Sequence, residues 1–303
     1  MLTKAVEAYI ALKQALGYSF QRSAGVLRSF ARFATERGDE WVHTTTVMAW
    51  SRLACSVKER DNRLRTVVAF AKHVRAEDPR HEISPADIYG YRKQRPVPFI
   101  FTPEQISAIV SAASRLGPPG SLRPHTYSTL FALLACTGLR ISEALGLCLE
   151  DLTADGLVIR ETKFRKTRLV ALHETAEEGL QKYLSRRLRL PSADGHVFVD
   201  GQGEAVRYSA VHQVFRKLVQ QLGLYRGQRP PVPRTHSLRH TFAVRALERC
   251  PHSREHVGRH LVALSTYLGH STVAATYWYL EATPELMKDI STAMERFIGK
   301  ETR

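Results

Sequence analysis

Apolar residues recur every three or four positions through the first eighty residues, which is the spacing of one face of an α-helix. Gly17 and Gly38 interrupt this pattern where helices are expected to end, and a third helix is predicted over Thr44–Ser56 with Thr44 or Thr45 as its N-cap. The pattern therefore predicts four helices that share a core. The apolar residues are Leu2, Val6, Tyr9, Ile10 and Leu16 in the first helix, Val26, Leu27, Phe30 and Phe33 in the second, and Leu64, Val67, Val68, Ala71 and Val74 in the fourth.

A proline-rich stretch, Pro79–Pro98, follows the four helices and is typical of an exposed interdomain linker. A new helix is predicted directly after it, because Thr102-Pro103-Glu104-Gln105 is a capping box with proline at the first helical position. We place the boundary near residue 97. This gives an N-terminal domain of residues 1–96 and a second domain of residues 97–303.

The charge of the chain restricts its partners. The formal net charge is +15, and basic residues outnumber acidic ones on both sides of the predicted boundary. A globular chain that is basic throughout, with arginine as its main cation, favours a nucleic acid partner over a surface of merely solvated lysines. The fourth helix also carries a one-signed face opposite its apolar residues, which we expect to contact DNA phosphates, although a solvated face is the alternative. That face consists of Arg60, Arg63, Arg65, Lys72 and Arg75.

The composition also indicates where the chain resides. No run of 18 apolar residues is present and the N-terminus lacks the apolar block of a secretory signal, so neither a membrane span nor export is expected. The cysteines form no CxxC pair, which argues against a disulfide framework or a zinc site and fits a reducing cytoplasm, with the protein nucleoid-associated when bound to DNA. They are Cys55, Cys136, Cys148 and Cys250.

The second domain is predicted to be mainly helical with a small β insertion. Leu157-Val158-Ile159-Arg160 and Arg168–Leu172 are β-like runs that a basic turn joins. A last helix is predicted from Thr283-Pro284-Glu285 onward, and its apolar stripe suits packing on its own domain or on a neighbouring molecule. The stripe consists of Leu286, Met287, Ile290, Met294, Phe297 and Ile298.

Four short segments of this domain carry residues suited to chemistry on phosphate. They are Ala135–Glu143, Thr162-Lys163, His236–His240, and Leu268-Gly269-His270 with Tyr279 nine residues on. Their arginines, lysine, histidines and tyrosine suit a covalent attack on a phosphodiester, whereas a metal nuclease would need clustered carboxylates.

Arg140 lies between two predicted helices. Tyr127–Thr137 is a largely apolar helix, Gly138 is a good C-terminal cap, and a second helix is predicted from near Ile141. Arg140 can therefore face the same anion as a helix N-terminus, and Glu143 in the first turn is placed to orient a cation. A helix-end arginine paired only with Glu143 is the alternative.

His236 and Arg239 are three residues apart on a predicted helix and therefore share a face. His256-Val257-Gly258-Arg259 matches the same pattern. We prefer the first pair because apolar residues follow it at core spacing and a proline-rich loop leads into it. Three tyrosines come later in the chain, and each could equally be a core aromatic. They are Tyr267, Tyr277 and Tyr279.

Taken together, the four segments resemble those of the tyrosine recombinase (phage integrase) family, most of all its members carried by transposons and other mobile elements. The resemblance covers the chain from Thr102 onward and rests on Thr137–Glu143, Thr162-Lys163 followed by Arg168-Leu169-Val170, His236–His240 and Leu268–Ser271. It implies a mainly α fold. An N-terminal four-helix, SAM-like core-binding domain would precede a mostly helical catalytic domain with a small three-stranded antiparallel β-sheet and a C-terminal exchange helix at about 284–298.

The resemblance also implies a role for each residue. The family spacing selects Tyr279 over Tyr277 as the nucleophile that forms a 3′-phosphotyrosyl link to DNA. Arg140 and Arg239 would clamp the non-bridging phosphate oxygens, and His270 would add a hydrogen bond. His236 would be a further phosphate donor or would manage a proton. Lys163 would protonate the leaving 5′-oxygen. No metal or nucleotide cofactor is implied.

Two assignments stay open. The turn holds both Lys163 and Lys166, and the match to the following strand favours Lys163; the turn arginines Arg160, Arg165 and Arg168 are expected to contact the DNA backbone. The interval from His236 to His270 is longer than the family pattern, which places an insertion near Cys250–Gly258.

The resemblance implies a site-specific recombinase or transposase that acts on double-stranded DNA as a homotetramer. Other recombinases of the same element would be further partners. Two other functions are compatible with the sequence. One is a type IB topoisomerase-like enzyme that relaxes DNA, and the other is a catalytically silent DNA-binding subunit of a multi-recombinase assembly.

Overall fold

The computed structural model describes residues 1–91, 97–160, 167–190, 195–225, 231–249, 254–270 and 272–280. The chain divides into two compact units, Met1–Arg95 and Pro96–Arg303. Among the described residues, no helix is long and apolar enough to cross a membrane.

The first unit consists of four helices around one core. They are α1 (Leu2–Ala15), α2 (Gln21–Glu36), α3 (Thr44–Arg52) and α4 (Val57–Val74). The predicted apolar residues pack into this core, with Leu27, Phe30 and Leu64 fully enclosed. Leu16 is the exception: it follows the last residue of α1 and is 62 % exposed.

The start and end of α3 differ from the prediction. The helix ends at Arg52, and Ser56 caps α4 by accepting the backbone N–H of Glu59 at 3.2 Å. His43 occupies the N-cap position of α3, and neither Thr44 nor Thr45 caps it. The carboxylate of Glu82, which is distant in sequence, accepts the N–H of Thr44 at 2.7 Å. It thereby satisfies a backbone donor at the start of α3 that a local N-cap side chain would otherwise bind.

Part of the predicted linker packs on this first unit. The backbone N–H of Val42 donates to Nδ1 of His81 at 3.0 Å, and the hydroxyls of Ser51 and Tyr89 lie 2.6 Å apart. Because His81 and Ser84 are buried, residues 79–91 are an ordered extension of the helical unit and not a free connector.

The second unit places helices around a small sheet. Its helices are α5 (Pro103–Ala113), α6 (Arg123–Thr137), α7 (Ile141–Leu145), α8 (Glu174–Arg187), α9 (Tyr208–Gln221), α10 (Thr235–Glu248), α11 (Arg254–Tyr267) and α12 (Ala274–Leu280), with a short 3₁₀ turn at Leu149–Asp151. The strands β1 (Leu152–Thr153), β2 (Gly156–Ile159) and β3 (Arg168–Val170) form an antiparallel sheet in that order. Leu157 pairs with Val170, and Ile159 with Arg168. The mainly α fold with a three-stranded antiparallel sheet is thus confirmed.

Two clusters of buried residues fill this unit. The larger surrounds α6, which packs against α5, α8 and α10. The smaller joins α10, α11 and α12 through Val244, Leu247, Leu264 and Tyr279. The capping box at Thr102 and Gln105 is present as predicted, and Thr241 of α10 fixes the start of α5 by accepting the N–H of Phe101 at 2.9 Å.

Candidate active site

Three arginines from three different elements hold the C-terminal end of α11. Arg168 at the start of β3 donates from Nε to the carbonyl of Tyr267 at 2.8 Å. Arg239 of α10 donates from Nη2 to the carbonyl of Leu268 at 2.7 Å, and Arg140 before α7 donates from Nη2 to the carbonyl of Gly269 at 2.9 Å. Cations are favoured at the carbonyl end of a helix. The turn that carries His270 is therefore fixed by residues of three separate sequence motifs.

Gly138 and Arg239 form the centre of this arrangement. Gly138 ends α6 in the left-handed conformation, with φ of 62°, and its carbonyl accepts a 2.7 Å hydrogen bond from Nη1 of Arg239. Arg239 is only 2 % exposed. Burial, and then the neighbouring Arg140, lower the pKa of Arg239 to about 10, which leaves the guanidinium charged at neutral pH.

Glu143 supplies the negative charge that balances the arginines. Its carboxylate accepts from Nη1 of Arg140 at 2.6 Å and from both Nη atoms of Arg168 at 2.8 and 3.1 Å. It also accepts the backbone N–H of Arg140 at 2.9 Å, which closes the N-terminus of α7. Burial alone would raise the pKa of Glu143, but the hydrogen bonds from Arg168 and Arg140 outweigh burial and lower this pKa to about 2. Glu143 thus orients two cations, where the sequence predicted one.

Arg168 has a different position from the one the sequence suggested. We expected it on the DNA backbone with the other arginines of the turn, but its side chain is only 11 % exposed and all three of its nitrogens donate to protein acceptors. No sequence signal separates it from Arg160. The pairing of strands β2 and β3 decides that Arg168 points into the site.

The histidines of the site form a cluster. The rings of His236 and His240, one turn apart on α10, lie edge to face at 4.5 Å between centroids. Nδ1 of His270 is 2.8 Å from the hydroxyl of the buried Thr276. Burial, followed by the positive charge of Arg239 and Arg140, lowers the pKa of both His236 and His270 to about 4. Both rings are therefore neutral at pH 7.

Tyr279 of α12 is brought into the same cluster. Its side chain is 3 % exposed, and its hydroxyl lies 3.2 Å from Nδ1 of His240. Its ring stacks parallel to that of His270, with 6.1 Å between centroids. Tyr267, by contrast, stacks on Phe242, and its hydroxyl donates to the carbonyl of Ala171 at 3.4 Å.

His240 is the site residue that the sequence reasoning did not single out. It stands inside the predicted His236–His240 segment, four residues after His236, so the helical repeat placed it on the same face. The sequence offered no reason to assign His240 a catalytic role. Its contact with Tyr279 depends on the packing of α12 against α10, which the sequence pattern does not predict.

Comparison with known proteins assigns the family. Residues 100–285 match the model of the phage integrase family. The integrase/recombinase homologue y4rB of Sinorhizobium fredii is 35 % identical and covers 97 % of this chain and 96 % of its own length. The chain belongs to the phage integrase family of tyrosine recombinases. The resemblance and the enzyme class predicted from the four segments are therefore confirmed.

Further similarities agree with this family. The tyrosine recombinase XerD of Xanthomonas campestris is 33 % identical over 68 % of this chain and 60 % of its own length. A solved structure of the Tn1549 transposon integrase in complex with transposon right end DNA has a TM-score of 0.65 at 18 % identity, covering 96 % of this chain and 98 % of that chain. A lambda integrase dimer bound to a core site has a TM-score of 0.64 at 17 % identity, covering 94 % and 78 %. At these identities the solved structures show a shared fold.

Several predicted residues of this integrase family member lie outside the described residues. They are Lys163, Arg165 and Lys166 of the basic turn, the insertion around Cys250, Ser271 of the last motif, and the last helix at about 284–298. Arg160 is described, and its half-exposed side chain pairs with Asp151.

The basic face of α4 divides into two parts. Arg60 and Arg63 are half-buried and donate to the carbonyls of Ala54 and Trp50 at 2.9 and 3.3 Å. The other three are exposed: Arg65 pairs with Asp61, Arg75 donates to the carbonyl of His81, and Lys72 lies between them. Arg60, Arg63 and Arg75 thus contribute to the positive charge of α4 and also form hydrogen bonds from this helix to neighbouring segments of the unit.

Proposed function

We propose that this chain cleaves and rejoins DNA strands at specific sites through a 3′-phosphotyrosyl intermediate. The observation that supports it most is the burial of the Tyr279 hydroxyl in the cluster that also holds Arg140, Arg239 and His270. A tyrosine among cationic donors is the arrangement that covalent attack on a phosphodiester requires.

The two arginines keep donors for a phosphate. Each Nη atom carries two hydrogens and donates to a single acceptor among the described residues, so a further N–H is available on each. Arg140 and Arg239 would clamp the non-bridging oxygens, whose charge grows in the transition state, and preorganised donors of this kind contribute about 3–4 kcal/mol each. His236 and His270 would donate to the same oxygens.

The remaining steps concern the leaving and returning strands. Lys163, with Lys166 as the alternative, would protonate the 5′-oxygen as the bond to phosphorus breaks. A 5′-hydroxyl of another strand would then attack the phosphotyrosine and release Tyr279. The covalent link conserves the energy of the phosphodiester, so the reaction would need neither ATP nor a metal ion.

Duplex DNA would contact both units. The net charge of +15 favours a long polyanion, and the solved relatives bound to DNA share the fold. The first unit would act as the core-binding domain and the second as the catalytic domain. Recombination joins two duplexes through four cleavages, which we propose occur in a homotetramer linked by the segment at about 284–298.

The test is a trapping assay on nicked suicide DNA taken from the ends that flank the gene. Wild type is compared with Tyr279→Phe, with Tyr277→Phe as the neighbouring alternative, and with Tyr208→Phe as a matched control on the exposed surface of α9. We expect a covalent protein–DNA band from every protein except Tyr279→Phe.

Other outcomes would contradict parts of the proposal. Loss of the band only in Tyr277→Phe would move the nucleophile to that residue. DNA binding without a band from any protein would contradict strand cleavage and favour a silent DNA-binding subunit. Relaxation of supercoiled DNA without recombinant products would favour the topoisomerase-like function.

A further inference from the structure

The hydroxyl of Tyr279 is held by a residue that the proposed reaction does not yet use. Nδ1 of His240 lies 3.2 Å from Tyr279 Oη, within hydrogen-bonding distance. The centroids of the His240 and Tyr279 rings are 5.5 Å apart, and the Trp278 ring contacts His240 edge to face at 5.1 Å. His240 therefore touches the atom that would attack phosphorus.

The surroundings keep His240 neutral, so one of its ring nitrogens can accept a hydrogen bond. Burial, then His236, Arg239 and His270, lower the pKa of His240 to about 3. A neutral imidazole has one ring nitrogen with a free lone pair, and Nδ1 can be that nitrogen because it faces a hydroxyl that can donate. A phosphodiester held between Arg140 and Arg239 would bring negative charge beside the ring and raise its pKa toward the usual range.

The other candidate bases of the site are placed less well. Nδ1 of His270 is bonded to Thr276, and its ring stacks flat against Tyr279 instead of pointing a nitrogen at Oη. His236 faces His240. Both oxygens of the Glu143 carboxylate accept hydrogen bonds from Arg140 and Arg168, so they are already occupied.

We propose that His240 is a catalytic residue that takes up the proton of Tyr279 Oη as the phosphotyrosyl bond forms. This inference rests on the proposed function. The Oη–H bond breaks, Oη bonds to phosphorus, the bond from phosphorus to the 5′-oxygen breaks, and that oxygen receives a proton from the general acid. In the rejoining step Nδ1–H of His240 returns its proton to Tyr279 Oη as the phosphotyrosyl bond breaks.

The test separates proton transfer from positioning. Asparagine places an amide oxygen at about the position of Nδ1, so His240→Asn can still accept the hydrogen bond but cannot take up the proton. Single-turnover cleavage of the suicide DNA is measured for wild type, His240→Asn, His240→Ala and Tyr279→Phe. His212→Asn, on the exposed surface of α9, is the matched control. Band shifts and thermal melting check DNA binding and folding for each protein.

We expect His240→Asn and His240→Ala each to cleave at least about 100-fold more slowly than wild type, the usual contribution of a general base. The control should cleave at the wild-type rate. Cleavage by His240→Asn within about threefold of wild type would overturn the proposal, since the hydrogen bond alone would then suffice. Absence of cleavage by wild type would refute the proposed function itself.

A second substrate distinguishes loss of the proton acceptor at Tyr279 from loss of the general acid at the leaving oxygen. DNA with sulfur in place of the bridging 5′-oxygen has a leaving group that needs no general acid. Lys163→Ala should recover on this substrate, whereas His240→Asn should stay slow relative to wild type. Recovery of His240→Asn would place His240 on the leaving-group side and overturn the proposal.

Discussion

At the scale of single residues, the charge of Glu143 controls how the arginines are held. Its carboxylate is 7 % exposed and bridges Arg140 and Arg168. Its pKa is lowered from the ordinary 4.5 to about 2, so its contribution to folding is present above about pH 4.5 and is lost as the pH falls toward 2. This contribution is on the order of 3 kcal/mol.

We therefore predict that Glu143→Gln destabilises the second unit at neutral pH, and that its difference from wild type shrinks between about pH 4.5 and 2. Urea unfolding at a series of pH values measures this difference. Glu178→Gln, whose carboxylate is 70 % exposed, is the control and should match wild type throughout. A difference for Glu143→Gln that stays constant down to pH 3 would contradict the prediction.

Gly138 is fixed by its backbone and by its neighbours. At a φ of 62° a side chain is disfavoured, and an added Cβ would lie 2.5 Å from Phe242 Cδ1. We predict that Gly138→Ala lowers the free energy of unfolding by on the order of 2 kcal/mol. It should also weaken the Gly138–Arg239 contact and slow cleavage.

The matched change is Gly179→Ala in the middle of α8, where an added Cβ meets no atom within 4 Å. That change should stabilise the protein by about 0.5–1 kcal/mol, because alanine favours the helix over glycine. Thermal denaturation of both variants measures the contrast. Equal effects of the two changes would be inconsistent with a special conformation at Gly138.

At the scale of elements, the site depends on how β3, α7 and α10 meet the end of α11. Arg168 joins that end to Glu143 through hydrogen bonds from three nitrogens, which lysine cannot reproduce. We predict that Arg168→Lys costs about 1–3 kcal/mol of stability and impairs cleavage by loosening the turn that carries His270.

Arg160→Lys, at the residue directly after the neighbouring strand β2, is the control for that change. Its side chain is 54 % exposed and pairs with a single carboxylate, so its effect should stay below about 0.5 kcal/mol. Urea unfolding and the suicide-substrate assay measure both variants. Similar losses of stability and cleavage in the two variants would contradict a special contribution of the buried hydrogen bonds of Arg168.

At the scale of the whole molecule, the first unit has a core of its own. Its buried cluster is built entirely from residues 2–74, and residues 79–91 add side chains that cap and close it. We predict that a fragment of residues 1–91 folds cooperatively by itself, as a domain of that size can. Circular dichroism with urea unfolding measures this.

A fragment of residues 1–78 is the matched comparison. It lacks the bonds that His81, Glu82 and Tyr89 make to Val42, Thr44 and Ser51. At about 1 kcal/mol for each bond, it should be less stable by about 2–3 kcal/mol. Equal stability of the two fragments would show that residues 79–91 do not contribute to the fold of the first unit.

Local patterns predicted the elements well because helices and caps depend on neighbouring residues. The apolar spacing gave the four helices of the first unit, and the capping box at Thr102 and the C-cap at Gly138 formed as predicted. The end of α3 at Arg52 was missed although its signal is local, since Ser56 caps α4. The capping of Thr44 and the packing of residues 79–91 were missed because they depend on contacts with Glu82 and Tyr89, which are distant in the chain.

The sequence by itself determined the order of the motifs, the helical fold and the family, since each follows from residue type and spacing. The tertiary structure alone decided which of these side chains meet. That Arg168 is interior, that three arginines share the end of α11, and that His240 touches Tyr279 depend on how separate elements cross. Those crossings come from packing around α6 and α10, which no spacing within a single segment encodes.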